Sequence, residues 1–560
     1  MRVLLLTHAF NSLSQRLFVE LRQRGFELSV EFDINDETSI EAVALFRPDL
    51  IVAPFLKRAI PESIWANHVC LVVHPGIRGD RGPSALDWAI LNGESSWGVT
   101  LLQANAEMDA GDIWASVEFP LRAASKASIY RHEVTEAAVS VVLDALECWR
   151  HGSVVPEPLD YSHPAVRGRL RPLLRQSDRR IDWQRDDTAT VLRKIRSGDG
   201  VPGVLDRLCG RDCFLYDAHP AAGLSGAPGE LLARSGPAVA RATVDGSVWI
   251  GHLRERQGSH PFKLPAVQVL RQESAGLPEI AGYPEIEYRE RSGVGYLRFA
   301  FYNGAMSSVQ CERLLEAYRQ ACRGSARVIV LLGGPDFWSN GLHLNVIEAA
   351  ASAADCSWEN INAINDLARE IITSNRQITI SALQGNAGAG GVFLARAADL
   401  VWARDGVILN PHYKDMGNLY GSEYWTYLLP GRVGEARAQR ITQGRLPMGS
   451  LEARELGLVD ACFGGSNEGF VAEVEREAER LAADPGLQRR LREKAQHRAE
   501  DERRKPLAAY RQAELERMQR NFYGFDPSYH VARYNFVYKV PKSRTPITIA
   551  RHRDKRKLPE

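Results

Sequence analysis

A histidine stands directly after an apolar run near the start of the sequence, and a glycine-rich segment follows it. The run covers residues 69–73, the histidine is His74, and the segment reads H-P-G-I-R-G-D-R-G-P over residues 74–83. The run predicts a buried parallel strand, and ligands bind α/β sheets beyond the carboxyl ends of such strands. A histidine there can stabilise or protonate the oxyanion of an acyl transfer. The alternative is a structural histidine at a strand end.

Two further glycine-rich segments lie in the second half of the sequence. One reads L-L-G-G-P-D-F-W-S-N-G-L-H-L over residues 331–344, and the other reads Q-G-N-A-G-A-G-G over residues 384–391. Glycine lets a backbone approach a ligand closely, so that backbone N–H groups can bind a carbonyl oxygen. Polar side chains that can move a proton follow at Tyr413 and Glu423.

Alternating strands and helices are predicted to position the histidine segment. Ser12 and Gln15 have the spacing of a capping box, as do Thr38 and Glu41, and Gly25 is expected to end the first helix. Strand and helix in alternation favour a doubly wound sheet. The strands of this part are predicted over residues 3–6, 28–32, 50–53 and 69–73.

The middle and the end of the chain have a different character. Residues 162–284 are rich in Arg, Gly and Pro and contain short β-like runs, such as a strand predicted over residues 244–250. This pattern predicts a small mixed or β-barrel domain. Alternation resumes near residue 285. Residues 468–520 are charged and predict a solvated helical hairpin rather than a nucleic-acid arm. The basic tail, residues 539–557, is expected either to fold back onto a domain or to contact an anionic ligand.

The composition excludes several classes of protein. The chain has 560 residues, which predicts two to four domains, and its 70 Lys+Arg and 69 Asp+Glu create no global field toward nucleic acid. No apolar stretch reaches the roughly 18 residues of a membrane span, and no signal peptide is evident, so we predict a cytoplasmic protein. The eight cysteines include no C-x-x-C pair, so we expect reduced thiols and no metal site.

The first 150 residues resemble the formyltransferase family that uses 10-formyltetrahydrofolate. The resemblance rests on His74 with R-G-x-x-P, then G-V-T, then D-x-G-D, in the family's order. It implies that His74 and Asp112 serve the transfer. Val72 stands where the family has an asparagine that helps hold the formyl oxygen, so we expect the first site alone not to complete the reaction. The folate-binding residues predicted in the loop are Gly79, Arg81 and Gly82.

The linker and residues 285–465 resemble two further domains. R-I-D-W at residues 180–183 is similar to the post-catalytic domain of tRNA formyltransferases, a small β-barrel. The two glycine-rich segments of the second half, with A-D-L after them, resemble the crotonase family of enoyl-CoA hydratases and isomerases. This second resemblance implies a coenzyme A thioester whose carbonyl oxygen is bound by the backbone N–H groups of Leu342 and Gly390. The neighbouring Gly341 and Gly391 are predicted to contact the coenzyme.

The acid/base side chains depart from the hydratase pattern. Phe393 and His412 stand where hydratases carry their two glutamates, so we expect no hydration of a double bond. Tyr413 and Glu423 lie in the segment that lines the crotonase pocket, and we predict that they form the general acid/base pair. The alternative is an aromatic-rich core helix with one exposed glutamate.

The chain as a whole resembles the HypX/HoxX family of hydrogenase maturation factors, up to Y-N-F-V-Y-K at residues 534–539. The resemblance implies that formyltetrahydrofolate supplies the carbon monoxide ligand of nickel–iron hydrogenase. We predict that the formyl group passes to coenzyme A and that formyl-CoA is decarbonylated. Expected partners are hydrogenase maturation proteins or the hydrogenase large subunit, with no nucleic acid and no membrane.

The predicted fold class is α/β with three domains. A formyltransferase-type Rossmann-like domain covers residues 1–160, a small β-barrel-like linker domain covers residues 161–284, and a crotonase-fold (β/β/α) domain covers residues 285–560. Two alternatives for the function stay open. One is a formyltransferase that acts on an amine, and the other is a non-enzymatic scaffold that binds coenzyme A during maturation.

Overall fold

The computed structural model describes residues 1–153 and 155–554. It divides into two compact units, one formed by residues 1–283 with the tail from residue 542 and the other by Pro284–Pro541. Among the described residues, no helix is both long enough and apolar enough to cross a membrane.

The first unit begins with a six-stranded sheet in the order β2-β1-β3-β4-β5-β6. The strands β1 to β4 run parallel, and their apolar side chains are buried, as their continuous apolar runs predicted. The strands β5 and β6 are antiparallel. The elements are β1 (Arg2–Thr7), α1 (Ser12–Gln23), β2 (Glu27–Phe32), α2 (Asp36–Phe46), β3 (Leu50–Phe55), α3 (Glu62–Trp65), β4 (Cys70–His74), α4 (Ala85–Asn92), β5 (Ser96–Gln103), β6 (Ile113–Pro120), α5 (Lys126–Ile129) and α6 (Thr135–Arg150).

The first two helices are capped by asparagines rather than by the predicted capping boxes. The Asn11 side chain accepts a hydrogen bond from Ser14 N at 3.0 Å, and the Asn35 side chain accepts one from Thr38 N at 2.8 Å. Both boxes predicted from the sequence are therefore wrong, because each helix begins beside an asparagine that competes well for the N-cap position. Gly25 follows α1 with a φ of 79°, as its predicted role at the helix end requires.

An antiparallel β domain completes the first unit. Its strand order is β7-β8-β11-β10-β9, with β12 paired to β11. The strand predicted over residues 244–250 begins at Ser247, because Thr243 N bonds to Gly246 O and closes a turn before it. The elements are α7 (Thr188–Gly198), β7 (Val204–Leu208), β8 (Arg211–Pro220), β9 (Leu231–Ser235), β10 (Ala238–Ala242), β11 (Ser247–Glu255), β12 (Leu264–Pro265), α8 (Ala266–Val269) and α9 (Arg271–Ala275).

The second unit is built on a sheet in the order β13-β14-β16-β19-β21-β24 and a four-stranded sheet in the order β17-β20-β22-β23. Its strands are β13 (Ile286–Arg291), β14 (Val294–Phe299), β15 (Ala305–Met306), β16 (Val328–Gly333), β17 (Phe337–Ser339), β18 (Gly341–Leu342), β19 (Ile378–Leu383), β20 (Asn386–Gly388), β21 (Leu400–Arg404), β22 (Ile408–Asn410), β23 (Met448–Gly449) and β24 (Ala461–Phe463). Its helices are α10 (Ser308–Arg323), α11 (Leu344–Glu348), α12 (Ala353–Thr373), α13 (Gly390–Arg396), α14 (Trp425–Val433), α15 (Glu435–Gly444), α16 (Ser450–Glu455), α17 (Asn467–Ala483), α18 (Leu487–Arg504), α19 (Leu507–Tyr523) and α20 (Ser528–Val537).

The charged stretch near the end of this unit forms three helices, α17 to α19, instead of the predicted hairpin. The helix α19 is not a solvated element, since Leu507, Met518 and Phe522 belong to the hydrophobic core of the unit. These residues recur on one face at helical spacing, and the many charges between them conceal that pattern in the sequence. Glu514 lies on the same face and is fully buried.

The tail from residue 542 packs on β2 of the first unit. Val30 N donates a hydrogen bond to Ile549 O at 3.0 Å. The His552 ring bonds to Ser29 Oγ at 2.6 Å and to Glu31 Oε2 at 2.9 Å. The described tail thus folds back onto a domain, the first of the two alternatives. The compact second unit ends at Pro541, whereas the sequence assigned the whole tail to the crotonase-type domain.

Candidate functional site

His74 is the last residue of β4, and its imidazole lies between two carboxylates. Its Nε2 is 3.3 Å from Asp80 Oδ2, and its Nδ1 is 3.6 Å from Asp109 Oδ1. The His74 side chain is 5% exposed and that of Asp80 is fully buried. Arg171 Nε donates a hydrogen bond of 2.9 Å to the second oxygen of Asp80. The two carboxylates fix the orientation of the imidazole and can accept or return its protons.

Glycines give this arrangement the room that it needs. A Cβ atom on Gly76 would lie 2.5 Å from His74 Nε2 and 2.9 Å from Asp80 Oδ2. On the other side, Gly82 N donates a hydrogen bond of 3.1 Å to Asp109 Oδ2. Asp109 itself has a φ of 56°, a conformation that aspartate tolerates better than most side chains. The glycine-rich loop therefore frames the histidine.

Asp112 does not join this group. Its side chain is exposed, and its backbone carbonyl accepts a hydrogen bond from Gln103 N at 2.9 Å, next to the start of β6. Asp109, three residues earlier in the same D-A-G-D motif, faces His74 instead. The predicted pair of His74 with Asp112 is thus corrected to His74 with Asp109. The motif alone does not tell which of its two aspartates turns inward.

The three predicted folate-binding residues contact the protein's own groups. The Gly79 carbonyl accepts a hydrogen bond from Tyr161 Oη at 3.0 Å. Arg81 donates to Glu107 Oε1 at 2.6 Å and to the carbonyl of Met108. A Cβ atom on Gly82 would lie 2.2 Å from the Arg171 carbonyl. These contacts shape the loop, and binding of folate by it stays a prediction.

The second site is formed where the two glycine-rich segments of the second unit meet. A Cβ atom on Gly341 would lie 3.6 Å from Gly390 N, so the two backbones are neighbours. One on Gly391 would lie 2.1 Å from the Ser339 carbonyl, which only glycine avoids. Leu342 ends β18 and Gly390 begins α13. The structure thus brings together the segments of the two predicted N–H donors, and their binding of a carbonyl oxygen stays a prediction.

Glu423 points its carboxylate at Gly390. A Cβ atom on that glycine would lie 2.2 Å from Glu423 Oε1 and 2.5 Å from its Cδ. Tyr413 Oη donates a hydrogen bond of 2.6 Å to Glu423 Oε2, and Ser422 N donates one of 3.2 Å. The predicted acid/base residues are therefore a bonded pair beside the predicted oxyanion donor. The alternative of an exposed glutamate on a core helix is wrong, because Glu423 is 1% exposed.

Burial tunes both members of this pair. Burial raises the pKa of the Glu423 carboxyl to about 7, although the hydrogen bond from Tyr413 favours its charge. Burial and the neighbouring carboxylate also raise the pKa of Tyr413 well above its ordinary value, so the phenol stays protonated and donates. A carboxyl group that titrates near neutral pH is suited to taking and returning a proton.

Aromatic packing holds Tyr413 in place. Its ring stacks on Phe393 with 5.5 Å between centroids and 17° between planes. A Cβ atom on Gly421 would lie 2.1 Å from the same ring, so the phenol rests directly on that glycine. Phe393, which replaces a hydratase glutamate, thus serves as a wall for the tyrosine. His412 is buried beside it, Nδ1 has no hydrogen-bond partner among the described residues, and burial lowers its pKa.

Sequence reasoning missed Glu514 and Asn365 at this site. Asn365 Oδ1 accepts a hydrogen bond of 2.8 Å from Glu423 N, and Glu514 accepts hydrogen bonds from the residues on either side of Glu423. Burial raises the pKa of Glu514 to about 7. A single glutamate in a charged helical stretch carries no signal of burial. No group of three or more metal-ligating side chains occurs among the residues that the structure describes.

Family comparisons match each part of the chain. Residues 22–146 match the Formyl transferase family, residues 173–262 match the Formyl transferase, C-terminal domain family, and residues 291–524 match the Enoyl-CoA hydratase/isomerase family. The predicted fold class of a formyltransferase-type part and a crotonase-type part is confirmed by these matches.

Two relatives match along almost their whole length. The hydrogenase maturation factor HoxX of Bradyrhizobium diazoefficiens is 58% identical over 558 residues, which are 99% of this chain and 98% of that protein. The crystal structure of HypX from Aquifex aeolicus in complex with tetrahydrofolic acid is 48% identical, has a TM-score of 0.95 and covers 99% of both chains. A methionyl-tRNA formyltransferase of Citrifermentans bemidjiense is 26% identical over 42% of this chain and 73% of its own.

Proposed function

The chain belongs to the HypX/HoxX family of hydrogenase maturation factors, and from this premise we propose that it converts the formyl group of 10-formyltetrahydrofolate into carbon monoxide by way of formyl-CoA. The observation that carries the proposal is the buried Tyr413–Glu423 pair directed at Gly390. The tetrahydrofolic acid in the Aquifex aeolicus relative supports formyl-folate as the donor. The crotonase-type unit supports a coenzyme A thioester as the intermediate.

In the proposed first step, the coenzyme A thiol attacks the formyl carbon on the folate nitrogen. The tetrahedral oxyanion that forms is stabilised by the His74 imidazole, and the proton that the thiol loses is delivered to N10 as the bond between N10 and carbon breaks. Asp109 and Asp80, which flank the ring, keep it oriented and can pass protons to and from it. Val72 precedes His74 by two residues and so lies on the same face of β4. It offers no hydrogen bond to the formyl oxygen, which favours a reactive thiol as the acceptor.

In the proposed second step, the formyl C–H proton passes to the Glu423 carboxylate. The C–H electron pair becomes the lone pair on the carbon of carbon monoxide, and the C–S bond breaks with its electrons on sulfur. Glu423 then returns the proton to the thiolate, so coenzyme A is regenerated and nothing is oxidised or reduced. The thiolate of a thiol with a pKa of about 8.5 is a far better leaving group than a folate amine.

The same part of the chain lacks the residues that hydration of a double bond requires. Addition of water to an enoyl-CoA needs two carboxylates, and the two hydratase positions hold Phe393 and His412. A single carboxylate with a phenol beside it can carry one proton away from carbon and back to sulfur. We further propose that the carbon monoxide is destined for the nickel–iron site of a hydrogenase, with hydrogenase maturation proteins or the large subunit as partners.

The test uses the full-length protein with 10-formyltetrahydrofolate and coenzyme A well below the folate concentration. Carbon monoxide is trapped by reduced haemoglobin, and formate and formylated amines are assayed in parallel. We expect many equivalents of gas per coenzyme A and no hydration of crotonyl-CoA. Formate alone would leave a formyl-folate hydrolase, a formylated amine would leave the amine formyltransferase, and no turnover would leave the scaffold.

Two variants test the roles in this scheme. Glu423→Gln keeps the side chain's shape but removes the proton acceptor, so we expect it to block gas release while tetrahydrofolate binding is retained. Tyr413→Phe removes one hydroxyl and should slow the same step about tenfold or more. Gas release at the parent rate by Glu423→Gln would move the base to another residue.

A further inference from the structure

Glu514 is a fully buried carboxylate that accepts four hydrogen bonds from one short segment. Its Oε1 accepts from Thr426 N at 2.9 Å and from Thr426 Oγ1 at 2.6 Å. Its Oε2 accepts from Tyr424 N at 3.0 Å and from Ser422 Oγ at 3.2 Å. A carboxylate reaching from α19 thus ties together residues 422–426, which contain Glu423.

This segment needs such a tie because its backbone is strained. Glu423 and Tyr424 both have a φ of 59°, the left-handed conformation that side chains other than glycine seldom adopt. Two such residues in a row persist only where contacts with the surrounding structure hold their backbone in this conformation. Here Asn365 holds the segment from α12, since its Oδ1 accepts from Glu423 N and its Nδ2 donates to Ser422 Oγ at 2.8 Å. Glu514 holds it from α19.

We propose that Glu514 is a positioning residue, which fixes the backbone of residues 422–426 so that the Glu423 carboxylate stays against Gly390 and bonded to Tyr413. The proposal rests on the function proposed above, in which Glu423 moves the formyl proton. Glu514 acts through hydrogen bonds to the Ser422 hydroxyl and to the Tyr424 and Thr426 backbone. It is therefore distinct from the residues that face the substrate.

The requirement for a carboxylate follows from the four donors. A carboxylate has only acceptor sites, whereas a glutamine at residue 514 would turn an NH2 group toward two of the donors. The backbone N–H of Tyr424 or of Thr426 would then face another donor. Rotation of the amide would only move this clash from one N–H group to the other. The segment would shift, and the Glu423 carboxylate with it.

The charge of Glu514 also acts on Glu423. Burial is the largest cause of the raised pKa of Glu423, and the neighbouring charge of Glu514 raises it further. Because four donors favour the charged form of Glu514, Glu423 is the group that we expect to gain and lose a proton near neutral pH. Among the described residues, other titratable groups interact with the pair, namely Tyr413, Tyr420 and Tyr424, and Cys311 from α10. Arg511 of α19 and Arg369 of α12 interact with Tyr424.

The experiment compares Glu514→Gln with Glu514→Asp and with the control Glu516→Gln. Glu516 lies on the same helix with its side chain exposed, so its substitution tests α19 without touching the segment. Carbon monoxide release from formyl-CoA is measured across pH with the full chain. We expect Glu514→Gln to lower kcat at least tenfold. We also expect the acid limb of its pH–rate profile to move to lower pH by half a unit or more. Glu514→Asp shortens the side chain, so it should lower kcat. Because it keeps the charge, the acid limb of its pH–rate profile should stay near that of the parent.

A second readout does not depend on turnover. The infrared carboxyl band of protonated Glu423, assigned by its loss in Glu423→Gln, is titrated in the parent and in the Glu514 variants. The pH midpoint of this band should be lower in Glu514→Gln than in the parent, and it should be unchanged in Glu516→Gln. An unchanged midpoint together with a parent-like kcat overturns the proposal. If the parent releases no gas from formyl-CoA, the proposed function fails, and a lowered midpoint would still support the link between Glu514 and Glu423.

Discussion

A methyl group added at residue 390 is predicted to displace the Glu423 carboxylate while leaving the fold intact. In Gly390→Ala the new Cβ atom would lie 2.2 Å from Glu423 Oε1 and 2.5 Å from its Cδ. Favourable van der Waals contacts of carbon atoms lie at about 3.5 Å or more. The carboxylate must therefore retreat by about 1 Å, because it is the flexible end of a side chain while Gly390 lies in the first turn of α13.

A retreat of this size has a defined effect on the reaction. It lengthens the 2.6 Å hydrogen bond from Tyr413 and withdraws the proposed base from the position proposed for the formyl proton. A misplacement of about 1 Å costs about 10²-fold in rate, which corresponds to about 2.7 kcal/mol of barrier. Stability should change little, since alanine in a helix is favoured over glycine by about 0.5–1 kcal/mol and offsets part of the crowding.

The assay is carbon monoxide release from formyl-CoA, with thermal unfolding recorded on the same samples. The matched control is Gly431→Ala in α14, where a Cβ atom would meet nothing within 4 Å. We expect the control to keep the parent rate and Gly390→Ala to lose about 10²-fold with a nearly unchanged melting temperature. Gly390→Ala at the parent rate would refute the placement of the base beside this glycine.

Three further predictions concern the titratable side chains Asp109, Glu423 and His552. Asp109→Asn should slow consumption of 10-formyltetrahydrofolate about 10²-fold or more, while Asp112→Asn should leave it near the parent rate; equal effects would contradict the corrected pairing. Because burial raises the pKa of Glu423 to about 7 against 4.5 for the free group, its contribution to stability is present below pH 4.5 and lost as pH rises through 7. Glu423→Gln should therefore raise the melting temperature more at pH 8 than at pH 5, and the same gain at both pH values would disprove this. His552→Ala should lower the free energy of unfolding in urea by about 1–3 kcal/mol, whereas the exposed His151→Ala should change it by less than about 0.5 kcal/mol.

Much of the fold was predictable because apolar runs and glycines act locally. The run before His74 forms a buried strand, and the histidine lies at its carboxyl end, as the pattern indicates. The two glycine-rich segments also meet as the pattern indicates, since a Cβ atom on Gly391 would lie 2.1 Å from the Ser339 carbonyl. The pair of Tyr413 and Glu423 was also within reach, since both residues lie in one polar stretch after the second glycine-rich segment.

The missed features depend on tertiary packing. Asp109 and Asp112 have similar sequence surroundings, yet Asp109 meets the histidine and Asp112 is exposed. Glu514 looks like any other charge of its helix, although it alone turns into the core. The helix starts at Asn11 and Asn35 show the same limit, because several nearby polar residues could serve as the cap.

The tail on β2 has a consequence for how the protein is made. The edge strand β2 at residues 27–32 leaves the ribosome early, but its partners Thr545, Ile549 and His552 are synthesised more than 500 residues later. Throughout that interval β2 presents an unpaired edge of the kind that invites association with other chains. The sheet of the first unit can therefore be completed only after the whole second unit has been translated. Loss of residues 545–552 would therefore expose the edge of a sheet whose strands were synthesised long before them.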